Sequence, residues 1–232
     1  MQNQKFDYHA MPRTTVQGRR CYQTPDGRKL PSVTTILDAT RSEQSKAALA
    51  AWRQRVGSQQ AQQITTEAAN RGTRMHQWIE DYIRTGHTGS PGSHPESQRS
   101  HRMASVIIAR GLCDVAEVWG NEVSLYYPEL YAGTTDCVGV YRAQQCIIDF
   151  KQSNKPKRRE WIDDYFLQLT AYALAHYQVY GTQIKQGVIM LAVRPDADQE
   201  PEYQQFELAD NEFDLWEQRW WDRVEQYYRL NT

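Results

Sequence analysis

A carboxylate and an ammonium two positions apart inside an apolar strand can do chemistry, and the chain carries such a pair at Asp149-Phe150-Lys151. Alternation along a strand puts Cys146, Ile148 and Phe150 on one face and Ile147, Asp149 and Lys151 on the other. A second carboxylate, Asp136, ends Gly133-Thr134-Thr135-Asp136 on the preceding strand, across a short turn near Ala143-Gln144. With two or four residues in that turn, Arg142 faces Gln145, and Asp136 falls opposite Lys151 and diagonal to Asp149. A three-residue turn puts Asp136 on the other face. Opposite Cβ atoms lie ~5 Å apart and diagonal ones ~7–8 Å. Two carboxylates so spaced can share a hard cation such as Mg²⁺, which takes oxygen ligands and keeps waters free for a phosphate. A lone Asp-x-Lys is ordinarily a surface salt bridge, but unpaired charge in an apolar strand is costly. The strand also runs on through Gln152-Ser153 into Lys155-Pro156-Lys157-Arg158-Arg159. That basic run is either a solvated loop or a rim that follows phosphates.

The elements that must hold these residues are readable from pattern. Residues 114–126, 130–142 and 145–152 are rich in Val, Ile, Tyr and Thr and read as three consecutive strands. An amphipathic helix follows over 160–180. Gly187 to Val193 is a nearly continuous apolar run, as expected of a strand covered on both faces. A weaker strand near 202–208 and a Trp-rich helix over 211–229 close the chain; Trp216, Trp220 and Trp221 have the spacing of a core face. Upstream, Pro25-Asp26-Gly27 signals a hairpin over 20–36 that continues through Leu30 to Thr34. A helix from about Ser42 stops at Gly57, a second runs from Arg71 to Ile83, and a third covers 96–111 beyond the Gly86–Pro95 loop. The expected fold is α/β, a mixed sheet flanked by helices with an N-terminal helical region. It forms one domain over 1–232, divided into 1–112 (hairpin and helices) and 113–232 (catalytic core).

Composition narrows the function classes. The 27 basic and 28 acidic residues nearly cancel, so any nucleic-acid site must be local rather than a global field. Twenty-four glutamines make the chain polar, while 7 Trp, 14 Tyr and 5 Phe supply ample core, which excludes global disorder. No run of ~18 apolar residues is present, so no membrane helix is expected. Met1 to Ala10 lacks the apolar stretch of a secretory signal. Cys21, Cys113, Cys137 and Cys146 form no CxxC pair and read as reduced thiols. A cytoplasmic setting, in a bacterial or phage-infected cell, is expected.

The Gly-Thr-Thr-Asp strand, the Ile-Asp-Phe-Lys strand and the helix bearing Gln168 and Tyr172 together resemble the PD-(D/E)XK nuclease superfamily, in its RecB-like branch. Within it the pattern is most similar to the mitochondrial genome maintenance exonucleases and their bacterial and phage relatives. Further matches are Leu30-Pro31-Ser32-Val33-Thr34-Thr35-Ile36-Leu37, Gly72-Thr73-Arg74-Met75-His76 with Glu80, Lys151-Gln152-Ser153-Asn154-Lys155-Pro156-Lys157, and Tyr165 through Tyr172. The resemblance covers roughly residues 28–195. Thr135 stands where the superfamily name expects Pro.

The resemblance implies a restriction-endonuclease-like core and a Mg²⁺- or Mn²⁺-dependent deoxyribonuclease, an exonuclease acting on free single-stranded DNA ends. Asp136 and Asp149 would bind the metal, with the Phe150 carbonyl and His76 as further ligands. Lys151 would orient the attacking water and stabilise charge on the phosphate. Gln168 and Tyr172, four apart on one helical face, would support the site, and Glu122 is a weaker candidate for an outer carboxylate. Ser153, Lys155, Lys157, Arg158 and Arg159 would contact DNA. Arg71 and Arg74, with Arg99 and Arg102, would line a helical arch over the sheet. A structure-specific endonuclease and a catalytically silent binding protein are the alternatives, and a replication or repair protein is a possible partner. The cysteine positions do not fit the iron–sulfur cluster of some RecB-like nucleases, so none is expected.

Overall fold

The computed structural model describes residues 3–195 and 199–231. A three-stranded antiparallel sheet comes first: β1 (Arg13–Val16), β2 (Arg19–Gln23) and β3 (Lys29–Pro31). The expected hairpin is its second half, around Pro25-Asp26-Gly27. Val33 and Thr34 do not extend it. They open helix α1 (Val33–Ala39), because the Ser32 side chain accepts the Thr35 N–H at 3.0 Å and caps the first turn.

Helix α2 (Glu43–Val56) ends at Gly57, whose φ of 85° suits only glycine, and α3 (Ser58–Thr85) starts at the next residue. The second helix therefore begins thirteen positions before Arg71. The apolar spacing that marks it, Met75, Ile79 and Ile83, is confined to its C-terminal half. From Glu43 to Asn70 only Ala61 is buried, so α2 and the start of α3 stand clear of the core. Helix α4 (Pro95–Arg110) packs back on α3.

The main sheet has the order β4-β5-β6-β7-β8: β4 (Val115–Tyr127), β5 (Tyr131–Tyr141), β6 (Gln144–Ser153), β7 (Gln186–Val193) and β8 (Glu202–Leu208). The first three form an antiparallel meander. Helix α5 (Asp163–Tyr180) crosses over to make β6 and β7 parallel, and β8 returns antiparallel before α6 (Asp210–Arg229). Both faces are covered. Met75, Ile79, Met103 and Ile107 of α3 and α4 pack on Cys137, Cys146, Ile148 and Phe150. Phe166, Leu169, Trp216 and Trp220 of α5 and α6 pack on Val138, Ile147 and Ile189. Trp216 and Trp220 are core, as their spacing predicts, and Trp221 packs half-buried against them. The layering is α/β/α, a mixed sheet flanked by helices.

Because α3 and α4 lie on the sheet, they do not arch over it as a unit. Arg71 is only 2% exposed, and its guanidinium donates to Gln152 Oε1 at 2.7 and 2.9 Å and to Asn154 Oδ1. It ties α3 to the end of β6. Arg99 pairs with Glu96, and Arg74 reaches Ser100 Oγ at 3.5 Å.

Candidate active site

The turn between β5 and β6 fixes the site. Arg142 and Ala143 both adopt positive φ (44° and 65°), making a two-residue hairpin turn in which Tyr141 pairs with Gln144. Arg142 is thus inside the turn instead of facing Gln145. The ladder runs to Cys137↔Ile148, and one more step sets Asp136 against Asp149, with Lys151 on the diagonal. The face is as expected, but the partner differs by one pairing step.

At that step the strands stop pairing. The Asp136 carboxylate takes up the loose end by accepting the Phe150 N–H at 2.6 Å. Its other oxygen lies 3.3 Å from His76 Nδ1, which α3 brings over the edge of the sheet. Across β4, Glu122 falls between Asn121↔Cys137 and Val123↔Thr135, directly in line with Asp136. Its φ of 51° is a conformation a non-glycine residue holds only at a cost. The His76, Glu122 and Asp136 ligand atoms all lie within 4.8 Å of one another. Glu80, one turn beyond His76 on α3, adds another carboxylate beside Glu122 and Asp136.

Asp149 is 1% exposed and Lys151 meets its Oδ2 in an ion pair. The Lys151 ammonium is the one partner of this buried oxygen among the described residues. Removing one partner of such a pair costs ~3–5 kcal/mol, yet an apolar replacement is often no less stable. The pair is therefore a poor device for stability. Tyr165 of α5 places its ring 5.2 Å from Lys151 Nζ. Gln168 donates to Tyr172 Oη at 3.3 Å. Tyr172 lies so close to Gly133 that a Cβ there would come within 2.8 Å of its ring, so this glycine lets the ring approach β5.

The electrostatics is that of too much negative charge in one place. Burial alone would lower the His76 pKa, but the charge and hydrogen bond of Asp136 outweigh it and carry the imidazole up to about 9. Burial likewise opposes ionisation of Asp136, and His76, Lys151 and the Phe150 N–H overcome it, holding this carboxyl below its usual value. Asp149 is pushed up to about 6 by burial, against the pull of Lys151. Lys151 would lose its proton to burial but keeps it because Asp149 and Asp136 face it. Glu122 is pushed up to about 7, first by loss of water and then by Asp136 and Glu80. Carboxylates crowded to this degree, with one histidine nitrogen beside them, are a donor set that suits a divalent cation taking mainly oxygen ligands.

Among the remaining expected residues, Phe150 is buried in the opposite face, with its N–H at the site. Ser153 is buried, and its hydroxyl donates to the Lys155 carbonyl at 2.6 Å, shaping the loop. Arg159 is held by Glu212 at 2.7 Å and by the Glu207 carbonyl at 2.9 Å. Lys155, Lys157 and Arg158 are the members of the basic run that point outward with the fewest ties; for the two lysines no ion-pair partner occurs among the described residues. Glu80 was matched by resemblance without a role, although its i, i+4 spacing from His76 puts both on one helical face. An open cleft of about 810 Å³ lies at the other end of the strands, lined by Gln144, Gln145, Lys185 and Gln186, away from this chemistry.

The chain is similar to three curated proteins, each named mitochondrial genome maintenance exonuclease 1. Identity is 31% over 208 residues with that of Xenopus tropicalis, 29% over 211 residues with that of Homo sapiens and 29% over 209 residues with that of Mus musculus. In each case 85% of this chain is covered, and it spans only 57–59% of the relative's length. No family model matches. A solved structure titled "Crystal structure of SSO0001" aligns at a TM-score of 0.34 and 12% identity, over 69% of this chain and 75% of that one, too loosely to bear on the fold. No helix among the described residues is long and apolar enough to cross a membrane.

Proposed function

We propose that this chain is a divalent-metal-dependent deoxyribonuclease of the PD-(D/E)XK type, in the RecB-like branch, and that it removes nucleotides from free single-stranded DNA ends. One observation carries the reading: His76, Glu122 and Asp136 converge beside the buried Asp149–Lys151 pair where β5 and β6 separate. The names of the similar proteins support it.

Asp136, Asp149 and His76, with Glu122 and the Phe150 carbonyl, would hold Mg²⁺ or Mn²⁺. Bound there, the ion would polarise a non-bridging phosphate oxygen and lower the pKa of a bound water. The Lys151 ammonium, kept protonated by Asp149 and Asp136 and flanked by Tyr165, offers fixed positive charge where the phosphate becomes more negative. Without the ion a protonated His76 balances Asp136; as a ligand it would give up that proton. Gln168 and Tyr172 fix the floor under β5. Lys155, Lys157 and Arg158 contact phosphates in a salt-sensitive way, whereas Arg71 acts through Gln152 by fixing the end of β6.

The test is cleavage of end-labelled linear DNA and of circular single-stranded DNA, with Mg²⁺ or with chelator. The wild type shortens the linear strand only with metal and leaves the circle intact; Lys151→Ala loses about 10²–10³ in rate. Cleaved circles would point to the endonuclease, and equal activity in the variant would refute the assignment.

A further inference from the structure

Trp161 keeps 59% of its surface exposed, while Trp119, Trp216 and Trp220 are buried. Single exposed apolar residues are ordinary; the surroundings of this one are not. It ends the 3-10 turn Arg159–Trp161, stiffened on both sides. Its N–H donates to the Arg158 carbonyl at 3.0 Å, the next residue, Ile162, is buried, and Arg159 is fixed to Glu212. The ring therefore stands on a rigid base. The Arg158 guanidinium lies 5.2 Å from the ring centre.

Charge around the ring is mixed but leaves cations over: the exposed Glu160 lies 3.9 Å from Arg158, while for Lys155 and Lys157 no ion-pair partner occurs among the described residues. Lys155 and Lys157 precede it in the loop that leaves β6 directly beyond Lys151. The two carboxylates that follow it do not oppose this, because Asp163 faces Arg219 at 3.6 Å and Asp164 faces Arg223 at 3.2 Å. The next residue on α5, Tyr165, flanks the Lys151 ammonium. An aromatic ring beside cations, on the rim of a phosphodiester site, is the arrangement by which proteins hold unpaired bases without reading their sequence.

We infer that Trp161 is a stacking platform for a base of the single-stranded DNA, with Lys155, Lys157 and Arg158 holding the adjoining phosphates. This rests on the nuclease reading for its substrate class, and it names what would favour unpaired over duplex DNA at this site: a paired base cannot offer its face to the ring.

The test is fluorescence anisotropy in EDTA, where no turnover occurs, using a labelled thymidine oligonucleotide of about 12 nucleotides and an abasic oligonucleotide of the same length. Trp161→Ala should weaken binding of the thymidine strand about tenfold and Trp161→Phe no more than about threefold, with abasic binding unchanged in both. Equal thymidine affinity in wild type and Trp161→Ala would overturn the inference, as would equal weakening towards the abasic strand. A wild type that binds the strand but never cleaves it with metal would sink the nuclease reading and leave the platform standing.

Discussion

Two histidines on opposite faces of one sheet end up at opposite extremes. His76, on α3, is desolvated but rests against Asp136, and its imidazole is lifted to about 9. His176, on α5, is fully buried among Phe6, Tyr8 and Tyr180, with ring centres 5.0–5.9 Å away. Burial there, with the nearby Lys5 adding repulsion, drives its pKa down to about 4, and Tyr8 Oη meets its Nε2 at 3.0 Å. Both lose water; a carboxylate across the strand edge separates them. One is a charged group paired with a carboxylate. The other is a neutral aromatic that happens to contain nitrogen.

The comparison can be broken by truncating each ring in turn. His76→Ala should lower DNA hydrolysis about 10- to 100-fold per folded molecule, and it also costs stability because Asp136 loses its cation. His176→Ala should cost about 3 kcal/mol from the cavity left among the rings, with activity per folded molecule preserved. Urea unfolding and initial rates on the same preparations decide this. If His176→Ala loses activity per folded molecule as His76→Ala does, the division between the faces is wrong.

A smaller effect sharpens it. His176 has a folded pKa near 4, below the ordinary 6.5 of the unfolded chain. The unfolded state therefore binds the proton first, so the contribution is complete above about 6.5 and declines as the pH falls towards 4. Between pH 7 and pH 5 the loss is about 2 kcal/mol. His176→Phe should show that much less acid sensitivity in its urea midpoint than the wild type. An identical pH slope in the two proteins would mean that His176 is not held neutral.

Much of this was legible in the sequence, for physical reasons that also mark where reading stopped. Period-two alternation gave the strands and the shared face of Asp149 and Lys151, and Gly57 gave the helix break. The pairing step was not legible, since nothing local says that Arg142 and Ala143 both take positive φ. Glu122 entered only as a weak candidate. It reaches Asp136 through the irregularities at Val115/Glu117 and Val118/Gly120, which shift the register in a way that composition does not encode. Arg71 read as a free cation because the amides that bury it, Gln152 and Asn154, lie more than eighty residues away. The exposure of Trp161 was not legible at all, because the period of the 160–180 segment does not say that the chain turns through a 3-10 step before α5.

The most direct test of the site is calorimetric titration of Mn²⁺ into the wild type and into Asp136→Asn, which keeps the shape of the side chain and removes its charge. Saturable binding to the wild type, weakened at least about tenfold in the variant, is the predicted result. No heat in the wild type, or the same affinity in both proteins, would contradict a metal centre built on this carboxylate.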